Sequence, residues 1–200
     1  METIQGKMSL DLNLIELKER LAGYNRILLD LGTGDGRYAH FMAEQHPCRF
    51  VIGVDACREN LRERSRVKLP NVVFVIASAQ NLPRELNGLI THLTINFPWG
   101  SLLDSLLSDD PRWMNGLLSM ARPGMSMEVR LNSGALEESG WALEAGVEQI
   151  QLHLLRAGWT LDFSGVMNVQ ALRTFPSTWA RRLAHGRAPQ AMVLRGHWTH

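Results

Sequence analysis

The sequence predicts an α/β fold in which a mainly parallel sheet is covered by helices on both faces. Short apolar runs at 26–31, 50–55 and 72–76 alternate with segments of helical spacing, which is typical of parallel strands joined by helices. Parallel strands are buried on both faces, so their sequences are apolar throughout. Two runs near the C-terminus follow one another with little helix between them, which predicts an antiparallel pair that closes the sheet.

The remaining elements have signals of their own. Asn13 and Glu16 have the spacing of a capping box at the start of a helix. Asp110 and Pro111 indicate a second helix start, with proline at its first position. Four further apolar runs predict strands, at 89–97, 125–131, 159–163 and 191–198. Residues 168–189 separate the last two strands and are too many for a plain turn, and such long insertions often carry function.

Length and composition favour one domain over residues 1–200. Apolar residues make up 45% of the 200, which is enough to form a core. The net charge is only +1, but no acidic residue follows Asp162. Five arginines lie in that last part of the chain: Arg173, Arg181, Arg182, Arg187 and Arg195. Arginines without neighbouring acids favour an anionic partner.

Several classes of protein are disfavoured by the sequence. Cys48 and Cys57 are the only cysteines and form no C-x-x-C pattern, and no two histidines have H-x-x-x-H spacing. We therefore expect no disulfide framework and no metal site. No apolar run approaches the length of a membrane span, and no secretory signal pattern begins the chain. These observations favour a reducing compartment, and we expect a cytoplasmic protein without a membrane partner.

A glycine-rich turn at 30–36, with the sequence Asp-Leu-Gly-Thr-Gly-Asp-Gly, follows the first parallel strand. Glycine lets the backbone approach a ligand closely, and open parallel sheets bind ligands at this edge. The spacing is G-x-G-x-G, whereas a pyrophosphate site has G-x-G-x-x-G. Asp30 and Asp35 disfavour a pyrophosphate and suit the sulfonium and amino groups of S-adenosylmethionine. The turn therefore predicts an S-adenosylmethionine site.

Residues after the next two strands extend this site. Asp55 ends the second strand, about twenty residues beyond the turn, where it could accept hydrogen bonds from both ribose hydroxyls. Ala79 and Gln80 follow the third strand and would face the adenine ring of the cofactor.

A second candidate site combines aromatic and basic residues. Residues 96–99, Asn-Phe-Pro-Trp, lie at the end of the fourth strand, and Trp179 precedes Ala180, Arg181 and Arg182. Two flat rings can hold a nucleobase between them, and guanidinium groups can neutralise its phosphates. A ring nitrogen such as adenine N1 has an in-plane lone pair, so its methylation needs alignment and desolvation more than a general base. No histidine or carboxylate has a position in the sequence that suggests such a base.

Four blocks of the sequence resemble the aminoglycoside-resistance 16S ribosomal RNA methyltransferases, which modify N1 of adenine 1408. The blocks cover 30–37, 71–77, 97–103 and 179–184. The resemblance implies a class I S-adenosylmethionine-dependent methyltransferase fold, with a Rossmann-like sheet of seven strands and an antiparallel last strand. It also implies a short N-terminal β-hairpin at residues 1–12, with 16S rRNA in the 30S ribosomal subunit as the substrate and aminoglycoside resistance as the consequence.

The resemblance assigns roles to individual residues. Trp99 and Trp179 would stack on the two faces of the flipped adenine. Together with the glycine turn, the implied contacts to S-adenosylmethionine are Asp30, Gly32, Thr33, Gly34, Asp55, Ala79, Gln80, Asn96, Phe97, Pro98, Trp99, Gly100, Ser101, Ser177 and Thr178. The expected contacts to RNA are Arg64, Arg66, Lys68, Arg181, Arg182 and Arg187.

Two departures from the family pattern leave alternatives open. The family usually has glutamate where this chain has Gln80, and its lysine-rich linker between the second and third strands is longer than the segment that ends at Pro70 here. One alternative is a methyltransferase that acts on another RNA or on a small molecule. The other is a cofactor-binding RNA module without transfer activity. We expect a monomer.

Overall fold

The computed structural model describes residues 1–185 and 190–199, and these form one sheet with helices on both faces. The nine strands of the described residues are β1 Glu2–Gln5, β2 Met8–Asp11, β3 Arg26–Leu31, β4 Arg49–Asp55, β5 Val72–Ile76, β6 Ile90–Asn96, β7 Ala121–Asn132, β8 Trp159–Val166 and β9 Ala191–Trp198. The helices are α1 Leu14–Leu21, α2 Arg37–Gln45, α3 Arg58–Leu61, α4 Ser101–Leu107, α5 Pro111–Ser119, α6 Ser133–Glu138, α7 Leu143–Arg156, α8 Val169–Thr174 and α9 Thr178–Ala184. Two 3-10 turns lie at Arg64–Arg66 and Arg84–Leu86.

The strand order is β2-β1-β5-β4-β3-β6-β7-β9-β8. Strands β5, β4, β3, β6 and β7 are parallel, whereas β9 runs antiparallel to both β7 and β8. Seven strands, β3 to β9, therefore form the predicted core with its antiparallel last strand. The predicted hairpin is also present, because β1 and β2 pair antiparallel and β1 pairs with β5.

The buried strands explain why the apolar runs of the sequence do not alternate. In β3, Ile27, Leu29 and Leu31 face the larger core cluster, under α1, α4, α5 and α7. Leu28 faces the other side of the sheet, where it packs in a smaller cluster with Ala39 and Ala43 of α2. Each fully buried leucine stabilises the fold by about 1.5–3 kcal/mol.

The start signals of two helices are confirmed. The Asn13 side chain accepts hydrogen bonds from the backbone N–H groups of Ile15 and Glu16, and the Glu16 carboxylate accepts one from Asn13 N. This capping box contributes about 1 kcal/mol to helix stability. Asp110 caps α5 in the same manner through Arg112 N.

The ends of two strands differ from the sequence prediction. β7 begins at Ala121 and not at residue 125, and β8 continues to Val166 and not to residue 163. The longer β8 is explained by its pairing with β9, in which Val166 lies opposite Met192. Hydrogen bonding to a neighbouring strand extends a strand past its apolar residues, and the sequence carries no signal of it.

The insertion after β8 folds into α8 and α9, and its last residues, 186–189, lie outside the described residues. These two short helices pack on the end of the sheet through a third apolar cluster. The cluster consists of Phe97, Met167, Leu172, Ala180, Ala184, Ala191 and Val193. The insertion is therefore anchored next to the carboxyl end of β6. No helix of the described residues is long and apolar enough to cross a membrane.

Candidate active site

An open crevice of about 470 Å³ lies at the carboxyl ends of the parallel strands. It is centred on β3, which has β4 on one side and β6 on the other, so the chain connections diverge there. This switch point is the usual ligand site of open α/β sheets. We call its wall of residues 30–35 and Asp55 the glycine side, and its wall of Trp99 and Trp179 the tryptophan side.

Two glycines of the turn are required by space as well as by backbone conformation. Gly32 and Gly36 have φ values of 72° and 73°, in the left-handed region that favours glycine. A Cβ at Gly32 would lie 2.5 Å from Leu102 Cδ2, and one at Gly36 would lie 2.6 Å from Phe74 Cε1. The turn therefore packs directly on side chains, and its backbone remains open to the crevice.

Asp30 is buried under this turn. Its carboxylate accepts hydrogen bonds from Thr94 Oγ1 at 3.0 Å, from Asn96 Nδ2 at 2.9 Å and from the Thr33 hydroxyl. Burial raises the pKa of Asp30 to about 6, although these bonds and the charge of Arg130 favour the ionised form. Because three protein groups already bond to it, this carboxylate fixes the turn more directly than it reaches into the crevice.

Two further carboxylates hold the crevice walls together. Asp55 accepts from Gly34 N and from Cys57 N, each at 2.8 Å, so it joins the end of β4 to the glycine turn. Asp35 accepts a hydrogen bond from Thr178 Oγ1 at 2.7 Å, across 143 residues of sequence. The second bond connects the glycine side to the first turn of α9.

The two tryptophans of the crevice lie against each other. The ring centroids of Trp99 and Trp179 are 5.4 Å apart at an interplanar angle of 20°, although the residues are 80 positions apart in sequence. They are 41% and 46% exposed, so neither ring is sealed in the core. The Arg182 guanidinium lies 5.3 Å from the Trp179 ring. Planar groups in contact are about 3.5 Å apart, so a base between the two rings requires them to be about 7 Å apart. At least one ring must move to admit a base.

Trp99 is presented by a strained turn. Phe97 has φ 53° and is the one non-glycine residue with positive φ among residues 1–185 and 190–199. Such a conformation costs about 1–3 kcal/mol and persists only where the surroundings hold it. Here Phe97 N donates to Arg130 O at 2.8 Å, and the Phe97 ring is buried in the cluster beneath α8 and α9. The turn directs Pro98 and Trp99 to the crevice.

A cluster of aromatic rings around Phe175 supports the tryptophan side, and sequence reasoning missed it. Phe175 stacks on Tyr38 at 5.1 Å and 9°, and it meets Phe97 edge-on at 5.6 Å. The Arg130 guanidinium lies 4.7 Å from the Phe175 centroid. The available signal was Arg130 itself, because a cation inside an apolar strand requires partners.

Comparison with known proteins identifies the family. The family described as NpmA, 16S rRNA (adenine(1408)-N(1))-methyltransferase, matches residues 2–198. The chain belongs to this methyltransferase family. A protein of that description from Escherichia coli is 32% identical over 97% of each chain.

Two solved structures of similar proteins agree with this assignment. One is a mutant of the 16S rRNA (adenine(1408)-N(1))-methyltransferase from Catenulisporales acidiphilia with cosubstrate SAM. It is 28% identical, with a TM-score of 0.87 over 100% of this chain and 97% of that chain. The other is the aminoglycoside resistance methyltransferase NpmB1, which is 29% identical with a TM-score of 0.81 over 100% of both chains. The class I methyltransferase fold is thus confirmed, and the cofactor of this methyltransferase is S-adenosylmethionine.

The structure brings together most residues that were predicted to contact the methyltransferase cofactor. Those that line the crevice are Asp30, Gly32, Thr33, Gly34, Asp55, Ala79, Asn96, Phe97, Pro98, Trp99, Ser101, Ser177 and Thr178. Gln80 and Gly100 do not line it. The Gln80 amide instead donates to Ser101 O and Ser105 Oγ, both at 2.9 Å, so it joins the loop after β5 to α4.

The residues predicted to contact RNA lie in two places. Arg182 lines the crevice and Arg181 is exposed on the same helix, whereas Arg187 lies outside the described residues. Arg64, Arg66 and Lys68 lie in and beside the 3-10 turn that contacts the hairpin, where Gly6 N donates to Ser65 Oγ. Within the described residues, no group of three or more His, Cys, Asp or Glu side chains could hold a metal ion.

Proposed function

We propose that this chain transfers the methyl group of S-adenosylmethionine to N1 of adenine 1408 in the 16S rRNA of the 30S subunit, and thereby confers aminoglycoside resistance. The stacked pair of Trp99 and Trp179 beside the glycine turn carries the proposal, because it combines a base-binding surface with a cofactor site. Membership of the family named for this reaction supports the same target.

The glycine side fits S-adenosylmethionine. The crevice volume of about 470 Å³ is in the usual range for cofactor sites, and Gly32 and Gly34 line it without side chains. We assign Asp55 to the ribose hydroxyls and Ala79 to the adenine ring, with Ser177 and Thr178 on the opposite wall. When bound, the cofactor supplies an electrophilic methyl group on a sulfonium. Asp35 lines the crevice, and its carboxylate, which also forms an ion pair with Arg37 at 3.0 Å, would favour this positive charge.

The tryptophan side would hold the target base. Extrusion of a stacked base from RNA costs a few kcal/mol, and stacking returns about 1–3 kcal/mol per aromatic contact. Trp99 and Trp179 together can offset the extrusion, whereas one ring alone gives too little. With the base held between them, the lone pair of N1 can be aligned with the methyl group.

The site needs no general base for this step. N1 would attack the methyl carbon with its own lone pair while the bond from that carbon to sulfur breaks, which would leave S-adenosylhomocysteine. Positioning and exclusion of water would therefore supply the rate enhancement. The carboxylates Asp30, Asp35 and Asp55 all accept hydrogen bonds from protein groups, which favours structural and cofactor-binding roles for them.

We assign the exposed arginines to the RNA backbone. Arg182 beside Trp179 would contact the phosphates next to the flipped base, with Arg181 and Arg187 nearby in sequence. Arg64, Arg66 and Lys68 would form a second contact farther along the RNA. Each neutralised phosphate strengthens binding in a salt-dependent manner.

We further propose that residues 1–200 act as one methyltransferase domain and as a monomer. Residues 1–12 form its hairpin extension and residues 168–189 its base-binding insertion. Because the substrate is the small ribosomal subunit, the enzyme would work in the cytoplasm.

Purified 30S subunits incubated with the enzyme and labelled S-adenosylmethionine test the proposal. Primer extension should stop at adenine 1408, and an expressing strain should become resistant to kanamycin and apramycin together. Label at another nucleotide, in transfer RNA or only in small molecules would contradict the assigned target. Cofactor binding without methylation of any RNA would indicate a binding module.

A further inference from the structure

Arg130, near the end of β7, contacts residues that support both sides of the crevice. It is only 8% exposed, and a buried guanidinium requires partners for its donors. Its Nη1 donates to Asn96 Oδ1 at 2.7 Å, and its Nη2 donates to the Glu128 carboxylate. Its flat face lies on the Phe175 ring, at 4.7 Å from the centroid.

The first contact leads to the glycine side. Arginine has only donors, so the Asn96 amide must present its oxygen to Arg130 and its NH₂ group elsewhere. That NH₂ group donates to Asp30 at 2.9 Å. Arg130 thus fixes which way the amide points, and the amide in turn holds the carboxylate beneath the glycine turn.

The second contact leads to the tryptophan side. Phe175 is four residues before Trp179, and its ring meets Phe97, which is two residues before Trp99. Arg130 also accepts a hydrogen bond from Phe97 N through its own carbonyl, at 2.8 Å. One residue therefore contacts the supports of both indoles.

We propose that Arg130 is a positioning residue that couples the S-adenosylmethionine site to the adenine-binding tryptophans. This inference rests on the proposed function. Arg130 itself does not line the crevice and acts through Asn96 and Phe175. Its loss loosens both walls together, so that cofactor affinity and methyl transfer decline in the same variant.

Arg195 provides a matched control. It is on the neighbouring strand β9 and donates to the same carboxylate, from Nε to Glu128 Oε1 at 2.9 Å. Its guanidinium also lies over an aromatic ring, that of Phe163 at 5.3 Å. The two arginines share a carboxylate and a ring contact, but only Arg130 is hydrogen bonded to Asn96.

The test compares Arg130→Met with Arg195→Met. Calorimetry without RNA measures cofactor affinity, and methylation of 30S subunits measures kcat and KM. Loss of a charge-assisted hydrogen bond predicts about a tenfold rise in the Kd of S-adenosylmethionine for Arg130→Met, and about a tenfold or larger fall in kcat. Arg195→Met should stay within about twofold of the wild type in both. Equal effects in the two variants, or wild-type values for Arg130→Met, would overturn the proposal.

A merely structural role predicts a different result. A partly unfolded population would bind fewer equivalents of cofactor with an unchanged Kd. The calorimetric stoichiometry therefore distinguishes a structural role of Arg130 from a positioning role. If Arg130→Met does not fold, Arg130→Lys replaces it, because lysine keeps the charge and loses the planar stack. Because lysine can still donate to Asn96, the discriminating quantity in this variant is kcat, and a wild-type kcat in Arg130→Lys would overturn the proposal as well.

Phe175→Leu examines the tryptophan side alone. It leaves the bonds between Arg130, Asn96 and Asp30 in place, so kcat should fall with little change in cofactor Kd. In the double variant Arg130→Met/Phe175→Leu, kcat should be close to that of Arg130→Met alone. A kcat reduced by the product of the two single losses would contradict the coupling. Failure of the proposed function can be told apart from failure of the Arg130 proposal. If the proposed function fails, the wild-type enzyme leaves adenine 1408 unmethylated, and the two arginine variants can still be compared by their cofactor affinity.

Discussion

The two sides of the crevice are held in place by different means. The glycine side consists of backbone fixed by left-handed glycines and by a buried carboxylate, directly over the sheet. The tryptophan side consists of two half-exposed indoles on a loop and on α9, a helix of seven residues. Its support is the small third cluster rather than the main core. The comparison indicates that the glycine side is preformed, whereas the tryptophan side can open.

Removal of either indole should show the difference between the two sides most clearly. Trp99→Ala and Trp179→Ala each delete one stacking surface, so methyl transfer to 30S subunits should fall by about a hundredfold or more. The Kd of S-adenosylmethionine should stay within about threefold of the wild type. Filter assays measure methyl transfer, and calorimetry measures the Kd of S-adenosylmethionine.

Phe163→Ala is the control for these variants. Its ring is 46% exposed and has an arginine at 5.3 Å, as Trp179 has, but it lies on β8 away from the crevice. The methyl-transfer activity of the Phe163→Ala variant should equal that of the wild type. An equal loss of cofactor binding in both tryptophan variants would mean that the rings serve the fold instead.

Gly32→Ala tests the glycine side. The alanine would be strained at φ 72° and would displace Leu102, which lines the crevice. We expect about a tenfold weaker cofactor affinity and a stability loss of about 1 kcal/mol or more. Gly88→Ala has a similar φ of 67° with no atom within 4 Å, so it should lose stability alone. Similar cofactor affinities in the two variants would argue against a preformed glycine side.

Thr178→Val tests the bond between the two sides. It removes the hydroxyl that donates to Asp35 at 2.7 Å and should reduce kcat by about fivefold, as expected for about 1 kcal/mol. Thr174→Val is the control, because that hydroxyl donates to Gln170 O within its own helix. Activity equal to the wild type in Thr178→Val would show that this bond does not contribute to the coupling of the two sides.

The pH dependence of cofactor binding should report on Asp30. Burial raises its pKa to about 6, so affinity that depends on the ionised form declines as the pH falls through about 6. The groups that face it are Arg130, with Glu128 beyond, and Tyr38, whose pKa burial raises to about 12 and which stays neutral. Calorimetry from about pH 5 to 7.5 should show this decline, and Asp30→Asn should remove it. A flat profile in the wild type would exclude the role.

The sequence predicted the sheet and the glycine turn because both depend on consecutive residues. Apolar runs of five to seven residues mark buried strands, and the turn's spacing is local. The stack of Phe175 on Tyr38 and the bond from Thr178 to Asp35 depend on how distant segments meet, which no local pattern contains. Gln80 was predicted to face the cofactor for its position after β5. In the structure its amide donates to two acceptors in α4, a contact between segments that its position in the sequence does not indicate.

The contact between the two indoles has an optical consequence. Chromophores stacked at 5.4 Å share their excited states, which splits their ultraviolet bands into a couplet of opposite sign in circular dichroism. A purine held between the two rings, as proposed above, would separate them and weaken or reshape that couplet. The circular dichroism of the tryptophan pair would therefore report base binding without a label, and stopped flow could follow it in the unmodified enzyme.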